Sequence, residues 1–193
     1  CIRDRLSGSQ TGNAKSVADK VATELTEVGI AVKRVALKDY KAKTIADEKY
    51  LLLVTSTQGE GEPPEEGVVL HKLLNGKKAP KLTELQFAVL GLGDSSYPNF
   101  CQAGKDFDQR FAELGATRLF ERVDADLDYS ATAEQWIRDI VAIVKEKAAQ
   151  ASPVVQSIAT ATTALVAKES QYNKANPFPA TLITNQKITG RQS

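Results

Sequence analysis

Apolar residues recur along the chain in two alternating patterns, one typical of helices and the other typical of strands. Apolar residues three or four positions apart, which predict helices, are found in segments 13–28, 68–74, 107–114 and 136–144. Short apolar runs, which predict buried strands, lie before or between these helices at 31–37, 50–54, 87–91 and 119–123. Strands that alternate with helices favour an α/β domain, a doubly wound parallel sheet with helices on both faces.

Local signals place the ends of the first two predicted helices. Asn13 is a candidate cap for the first helix, and Gly29 ends it. Pro63 and Pro64 stand where the second helix would begin, because proline is favoured in a first helical turn. Trp136 falls on the apolar face of the last helix and is predicted to be a core residue.

The composition changes near residue 147. Beyond it, alanine, serine, threonine, valine and proline dominate without a helical or strand period, which is typical of a flexible linker. Residues 180–193 resemble a strand that has nothing to pair with. We therefore predict a single α/β domain at 1–147, a linker at 148–179 and the start of a second, incomplete domain at 180–193.

Charge and cysteine content exclude several classes of function. The 193 residues carry 25 Lys and Arg against 24 Asp and Glu, a net charge of +1, which gives no electrostatic basis for binding nucleic acid. The uncharged stretch 148–167 contains too many polar residues for a membrane span, and no signal peptide is visible at the start. Cys1 and Cys101 lack zinc or CxxC spacing, so we expect a reducing compartment, the cytoplasm.

Three loops of unusual composition follow predicted strands, at the sheet edge where doubly wound folds bind ligands. The first is SQTGNA, which comprises Ser9, Gln10, Thr11, Gly12, Asn13 and Ala14. Its hydroxyls and the free N–H groups of a helix start suit a phosphate, although a plain capped turn fits equally well. This loop lacks the GxxxxGK[ST] spacing of a P-loop and the GxGxxG spacing of a Rossmann dinucleotide site, so it is neither of these. The second begins with Ser56, Thr57, Gln58 and Gly59. Gly59 would let the backbone approach a flat ligand closely. Taken by itself, however, this loop is better explained as a tight turn before a helix.

The third loop carries two aromatic residues. It comprises Leu92, Gly93, Asp94, Ser95, Ser96, Tyr97, Pro98, Asn99, Phe100 and Cys101. Tyr97 is a candidate to stack on a planar ring, whereas Phe100 is assigned mainly to packing within the domain. Because the three loops share one edge of the sheet, a joint binding site is favoured over any single-loop explanation.

Other candidate residues give weaker signals. Cys101 has no histidine nearby in sequence and is predicted to be a buried structural thiol rather than a nucleophile. His71 is predicted to lie on the surface of a helix. Asp124, Asp126 and Asp128 lack the EF-hand pattern, so we expect no metal there but a loop that touches the edge of the ligand.

The three loop motifs, SQTGNA, STQGEGEPPEE and LGDSSYPNFC, resemble the flavodoxin-like FMN domain of the diflavin reductases. Within that family the likeness is greatest to the flavoprotein (alpha) subunits of NADPH–sulfite reductases, since Gln58 stands where cytochrome P450 reductases have an aromatic residue. The resemblance implies a five-stranded parallel sheet of order 2-1-3-4-5. The closing NQKITGR resembles the beginning of the FAD-binding domain in the same flavoproteins.

The resemblance also implies a cofactor and partners. FMN would place its phosphate on residues 9–14 and its ring and ribityl chain along 56–59, while 92–101 close the other side with Tyr97 stacking. In such reductases electrons pass from NADPH to FAD, then to FMN, then to a sirohaem and iron–sulfur (beta) subunit that reduces sulfite to sulfide for cysteine biosynthesis. Acidic residues beside the loops, among them Glu60, Glu62 and Asp94, would make reduced FMN a stronger donor and steer a basic partner.

The charged first strand leaves two alternatives to the leading function open. The first strand contains Arg3, Asp4 and Arg5 where this topology needs a central apolar strand, and an unpaired buried charge costs several kcal/mol. We expect either a partly formed first strand or non-native residues at 1–6, and either one argues against tight binding of FMN. The chain is therefore an FMN electron-transfer domain of a sulfite reductase or another diflavin reductase, or a cofactor-free interaction module. A receiver domain ranks last, because Ser56 and Thr57 replace the aspartate it needs.

Overall fold

Six strand segments form one parallel sheet in the computed structural model, which describes residues 12–151 and, for residues 2–8, only the course of the backbone. The strands are β1 Ile2–Gly8, β2 Val32–Ala36, β3 Tyr50–Ser56, β4 Gln86–Leu92, β5 Thr117–Arg118 and β6 Val123–Ala125. Their order is β2-β1-β3-β4-β5, and β6 also pairs with β4. The predicted order 2-1-3-4-5 is confirmed, and β1 is an interior strand that pairs with β2 and β3 in spite of its charged sequence.

The fifth strand is divided in two, so the prediction of a continuous strand at 119–123 is wrong. Gln86 and Phe87 of β4 pair with β5, and Leu90 to Leu92 pair with β6. From the last pair with β5 to the first pair with β6, β4 moves from residue 87 to residue 90, whereas the partner chain moves from residue 118 to residue 123. The longer segment cannot stay in the ladder, because paired parallel strands advance residue for residue.

Four α-helices complete the described part of the domain, α1 Asn13–Glu27, α2 Val68–Asn75, α3 Gln102–Glu113 and α4 Tyr129–Ala151. The first helix follows Gly12, whose φ is 80°, and no side chain caps it, so the cap predicted at Asn13 is wrong. The second helix begins at Val68 and not at the prolines, because Pro64 has extended backbone and a 3-10 turn, Glu65–Gly67, intervenes.

Alternate residues of the central strands build two separate cores. Leu52 and Val54 of β3 face α1 and α4, whereas Leu51 and Leu53 face α2 and α3. The predicted core residue Trp136 is confirmed, with 1% of its surface exposed. Burying each such side chain contributes roughly 1.5–3 kcal/mol, so both layers of helices are held firmly on the sheet.

The last helix runs to Ala151, which carries it four residues beyond the predicted domain limit at 147. The remainder of the predicted linker and the predicted second domain lie outside the described residues, so that division stays a prediction. Among the described helices, none combines the length and the apolar character needed to cross a membrane.

Candidate functional site

A cleft of about 770 Å³ opens at the carboxyl ends of β3, β4 and β6. Its walls come from the loops that follow these strands and from the first residues of α1 and α4. The lining residues are Asn13, Ser56, Thr57, Gln58, Gly59, Glu60, Leu92, Gly93, Asp94, Tyr97, Pro98, Asn99, Phe100, Cys101, Asp126, Leu127 and Tyr129. Because β3, β4 and β6 run parallel, loops far apart in sequence meet at this edge.

The loop after β3 is a tight turn made possible by glycine. Gly59 has a φ of 55°, and a Cβ there would lie 2.5 Å from the Glu62 carboxylate. The Glu60 N–H donates to that carboxylate over 2.7 Å. Gly59 therefore brings the main chain to the cleft surface in a conformation that other residues adopt only with strain.

The loop after β4 is tied to the first one by hydrogen bonds. The Thr57 N–H donates to the Leu92 carbonyl over 3.0 Å, and the Asn99 side chain donates to the Glu60 carbonyl over 2.5 Å. Gly93 sits directly beneath Cys101, where a Cβ would come within 2.9 Å of the Cys101 backbone nitrogen. The two loops thus form one continuous wall.

The loop after β6 is fastened to the same wall through Asp126. The backbone N–H of Ser95 donates to the Asp126 carboxylate over 3.0 Å, and the Ser95 hydroxyl donates to it as well. The Ser95 side chain, its backbone N–H and the Leu127 N–H hold the pKa of Asp126 below its ordinary value. Asp126 therefore keeps a negative charge at the rim of the cleft at neutral pH.

The two aromatic residues of the third loop have different surroundings. Tyr97 is 64% exposed although it lines the cleft. Phe100 is half-buried beside Lys105, whose Nζ lies 5.7 Å from the ring centre and donates to the Phe100 carbonyl. Tyr97 is thus the most exposed of the three aromatic rings that line the cleft, since Phe100 and Tyr129 line it as well and are half-buried.

Cys101 is a buried thiol in an unusual backbone conformation. Its φ of 53° is the one positive value found for a non-glycine residue in the described part of the chain. Burial, followed by the charge of Asp124, raises the pKa of the thiol to about 12. The thiol is therefore protonated at neutral pH and unsuited to act as a nucleophile.

The cleft gathers thirteen of the twenty predicted site residues, and four others that the structure describes lie elsewhere. Gly12 begins α1 beside a separate open groove, Ala14 is buried in the core, and Ser95 and Ser96 bond to aspartates within the loops. Ser9, Gln10 and Thr11 lie outside the described residues, so the predicted phosphate contacts there stay predictions.

Four lining residues were not among the predicted site residues: Glu60, Asp126, Leu127 and Tyr129. The last three lie just after the fifth strand, where the sequence predicts a ligand-touching loop around Asp124, Asp126 and Asp128. His71, predicted to lie on the surface, is half-buried: its side chain is 27% exposed and its ring meets Phe107 edge-on at 5.5 Å. Over the described residues, no group of three or more His, Cys, Asp or Glu side chains is placed to hold a metal.

The parallel sheet and the cleft at its carboxyl edge define a flavodoxin-like class of protein. The family model described as Flavodoxin matches residues 6–138, and the chain belongs to this family. A solved flavodoxin from Streptococcus pneumoniae TIGR4 is 28% identical with a TM-score of 0.65, over 78% of this chain and 99% of that one. FMN is the cofactor of the flavodoxin domain.

The curated relatives are more specific. The sulfite reductase [NADPH] flavoprotein alpha-component of Neisseria meningitidis serogroup C is 69% identical over 190 residues, and that of Escherichia coli O1:K1 is 54% identical over 188. Both alignments cover 97% of this chain. The chain spans only 31% of the length of each relative.

The residues present fit FMN. The Tyr97 ring is exposed toward the cleft, a glycine turn lets backbone approach a flat ring, and the side-chain Oε1 of Gln58 is buried without a hydrogen-bond partner. Ser56 and Thr57 add hydroxyl groups suited to a polyol chain. Neutral polar groups beside an exposed ring suit a flat, polar ligand.

Proposed function

We propose that this chain is the FMN-carrying electron-transfer domain of an NADPH–sulfite reductase. The domain takes electrons from FAD, which NADPH reduces, and passes them to the sirohaem and iron–sulfur beta subunit that reduces sulfite to sulfide. The observation that carries this proposal is the flavodoxin cleft in a chain 69% identical to a sulfite reductase flavoprotein. FAD and NADPH would bind to another part of the same polypeptide.

The residues of the cleft hold the cofactor and set its electrical surroundings. FMN supplies the redox chemistry, and the protein supplies position and field. Residues 9–14 would hold the phosphate, 56–59 the ring and ribityl chain, and 92–101 the opposite side with Tyr97 on the ring. The carboxylate of Asp126 lies at the cleft and disfavours any added negative charge on the ligand. Reduced FMN would therefore give up electrons more readily.

The acidic rim also supports a role in partner recognition. Glu60, Asp94 and Asp126 line the cleft. A cluster of like charges at the mouth of a cleft steers an oppositely charged surface toward it and speeds association. We assign this rim to docking of a basic surface on the haemoprotein beta subunit. The proposed compartment is the cytoplasm, where the thiol of Cys101 stays reduced.

The test reconstitutes the relay. The chain is saturated with FMN, freed of unbound flavin and mixed with the haemoprotein subunit and the FAD- and NADPH-binding part of the Neisseria relative. The expected result is a yellow protein that supports NADPH-dependent formation of sulfide from sulfite. A colourless chain would favour the cofactor-free module, and a yellow chain that yields no sulfide would favour another diflavin reductase.

A further inference from the structure

The loop after β4 joins helix α3 through a residue in the left-handed region. Cys101, which directly precedes α3, has a φ of 53° and a ψ of 25°. This conformation is disfavoured for a residue that carries a side chain, so contacts around it must hold it in place. The segment just before it, residues 94–100, carries Tyr97 to the cleft. The path of that segment therefore depends on what fixes the backbone at Phe100 and Cys101.

Lys105, on the first turns of α3, fixes the backbone at both of these residues. Its side-chain Nζ donates to the Phe100 carbonyl over 2.6 Å, and its backbone N–H donates to the Cys101 carbonyl over 3.1 Å. The same Nζ lies 5.7 Å from the centre of the Phe100 ring, within the range of a cation–π contact. One residue thus binds two successive carbonyls across the left-handed turn.

The position of Lys105 is an unfavourable one for a lysine. The residue is half-buried, whereas lysines are mostly exposed, and it is the fourth residue of α3, near the positive end of the helix dipole. Its bond to the Phe100 carbonyl offsets these costs, because a charged donor makes a stronger hydrogen bond than a neutral one. Loss of the ammonium group would therefore release the end of the loop from α3.

We propose that Lys105 is a positioning residue for FMN, which holds the loop after β4 so that Tyr97 is in place at the cleft before the cofactor arrives. This inference rests on the proposed binding of FMN. Lys105 is not among the residues that line the cleft, so it acts through the loop and not by touching the ligand. A loop that already has its binding conformation loses less freedom on binding, and the apparent affinity rises with the fraction of molecules in that conformation.

The experiment compares the unchanged chain with Lys105→Met, which keeps an unbranched side chain and removes the ammonium group. Dissociation constants for FMN are measured by quenching of flavin fluorescence. We expect Lys105→Met to bind FMN about tenfold more weakly, the result for a loop that has its binding conformation in about a tenth of the molecules. Lys145→Met removes a positive charge from an exposed position of α4 and should leave the constant unchanged. Thermal unfolding curves check that each variant is folded.

The same substitution in a Tyr97→Ala chain separates positioning from general effects of the lost charge. If Lys105 acts by placing Tyr97, the loss caused by Lys105→Met should shrink to less than about twofold once the ring is absent, because the two residues act as a unit. A loss of equal size with and without the ring would come from long-range charge or from lowered stability, and would overturn the proposal.

Hydrogen exchange of the chain without flavin tests the loop independently of binding. Backbone N–H groups of residues 95–101 should exchange faster in Lys105→Met, while those of β3, in the core, should not. Unchanged exchange in this loop, or unchanged FMN affinity of the folded variant, would overturn the role of Lys105 while leaving FMN binding intact. Failure of the unchanged chain to bind FMN would overturn the proposed function, and the role of Lys105 with it.

Discussion

Tyr97 is a large aromatic side chain that the free protein leaves 64% exposed at its cleft. Covering such a ring with a flavin removes apolar surface from water and adds a ring–ring contact of about 0.5–1.5 kcal/mol. We therefore expect Tyr97→Ala to weaken FMN binding about tenfold or more, as measured by fluorescence titration.

Tyr97→Phe is the matched control because it retains the ring and removes only the hydroxyl. Its affinity for FMN should stay within about threefold of that of the unchanged chain, since a partly exposed hydroxyl contributes little. If Tyr97→Ala binds as tightly as Tyr97→Phe, the ring does not stack on the cofactor.

The thiol of Cys101 makes stability depend on alkaline pH. Its pKa is about 12 in the folded protein because of burial, against an ordinary value of 9.0. The unfolded chain therefore ionises first, and the stabilisation is complete below pH 9 and lost as the pH rises toward 12. Relative to Cys101→Ala, the free energy of unfolding of the unchanged chain should fall by about 1.4 kcal/mol between pH 8 and pH 10.

Urea unfolding of both proteins at the two pH values measures this difference. Groups other than Cys101 titrate in both proteins and cancel in the comparison. A difference that stays constant with pH would mean that the thiol ionises equally easily in the folded and unfolded states.

Single-residue roles were predictable from sequence where composition alone carries the signal. The position of Tyr97 at the cleft, expected from a loop after a buried strand, is such a case, and the buried Trp136 on an apolar helix face is another, whereas stacking of Tyr97 on a ligand stays a prediction. The unpaired amide of Gln58 was not predictable, because whether a polar atom finds a partner depends on packing between loops. The same holds for Tyr129, which reaches the cleft only because of where α4 begins.

At the level of elements, a buried carboxylate joins helix α3 to the divided fifth strand. Asp108, whose side chain is 6% exposed, accepts from Arg118 over 2.7 Å and lies 3.6 Å from Arg122. Arg122 in turn bonds Asp124 on β6 over 2.9 Å. The network thus bridges the gap that the extra residues 119–122 leave between β5 and β6.

We expect Asp108→Asn to lower the free energy of unfolding by about 3 kcal/mol. Removing one partner of a buried ion pair leaves the others without compensation and costs roughly 3–5 kcal/mol, and the partly exposed arginines place this case at the lower end. Urea unfolding at neutral pH without FMN measures the change.

Glu113→Gln provides the comparison, because it breaks an exposed pair with Arg110 on the same helix. Exposed ion pairs contribute little to stability because water and salt screen them, so this variant should stay close to the unchanged chain. Equal losses in the two variants would show that burial of Asp108 adds nothing to the network.

The elements themselves differed in how far the sequence determined them. The apolar runs of β3 and β4 predict strands because both faces are buried, and the structure confirms them. The fifth strand was misplaced because strand limits depend on pairing with β4, a distant segment. The start of α2 was misplaced because local proline preferences do not show where the chain turns onto the sheet.

At the scale of the whole molecule, the site belongs to the fold rather than to any one segment. The cleft is lined by residues from the loops after β3, β4 and β6 and from the starts of α1 and α4. Strands β3 and β4 contribute side chains to both hydrophobic cores, and β6, α1 and α4 contribute to the first of them. A ligand that bridges the loops therefore favours the folded state of the domain as a whole.

FMN should accordingly raise the thermal stability of the chain. A ligand that binds only the folded state adds about 2.7 kcal/mol when its free concentration is 100 times Kd. For a domain of this size, that corresponds to an increase of roughly 5–10 °C in Tm. Differential scanning calorimetry with FMN at that excess measures it, and riboflavin at the same concentration should give a smaller increase, because it lacks the phosphate that residues 9–14 are predicted to hold. Equal shifts for the two flavins would contradict the phosphate assignment, and no shift with FMN would contradict binding to the folded cleft.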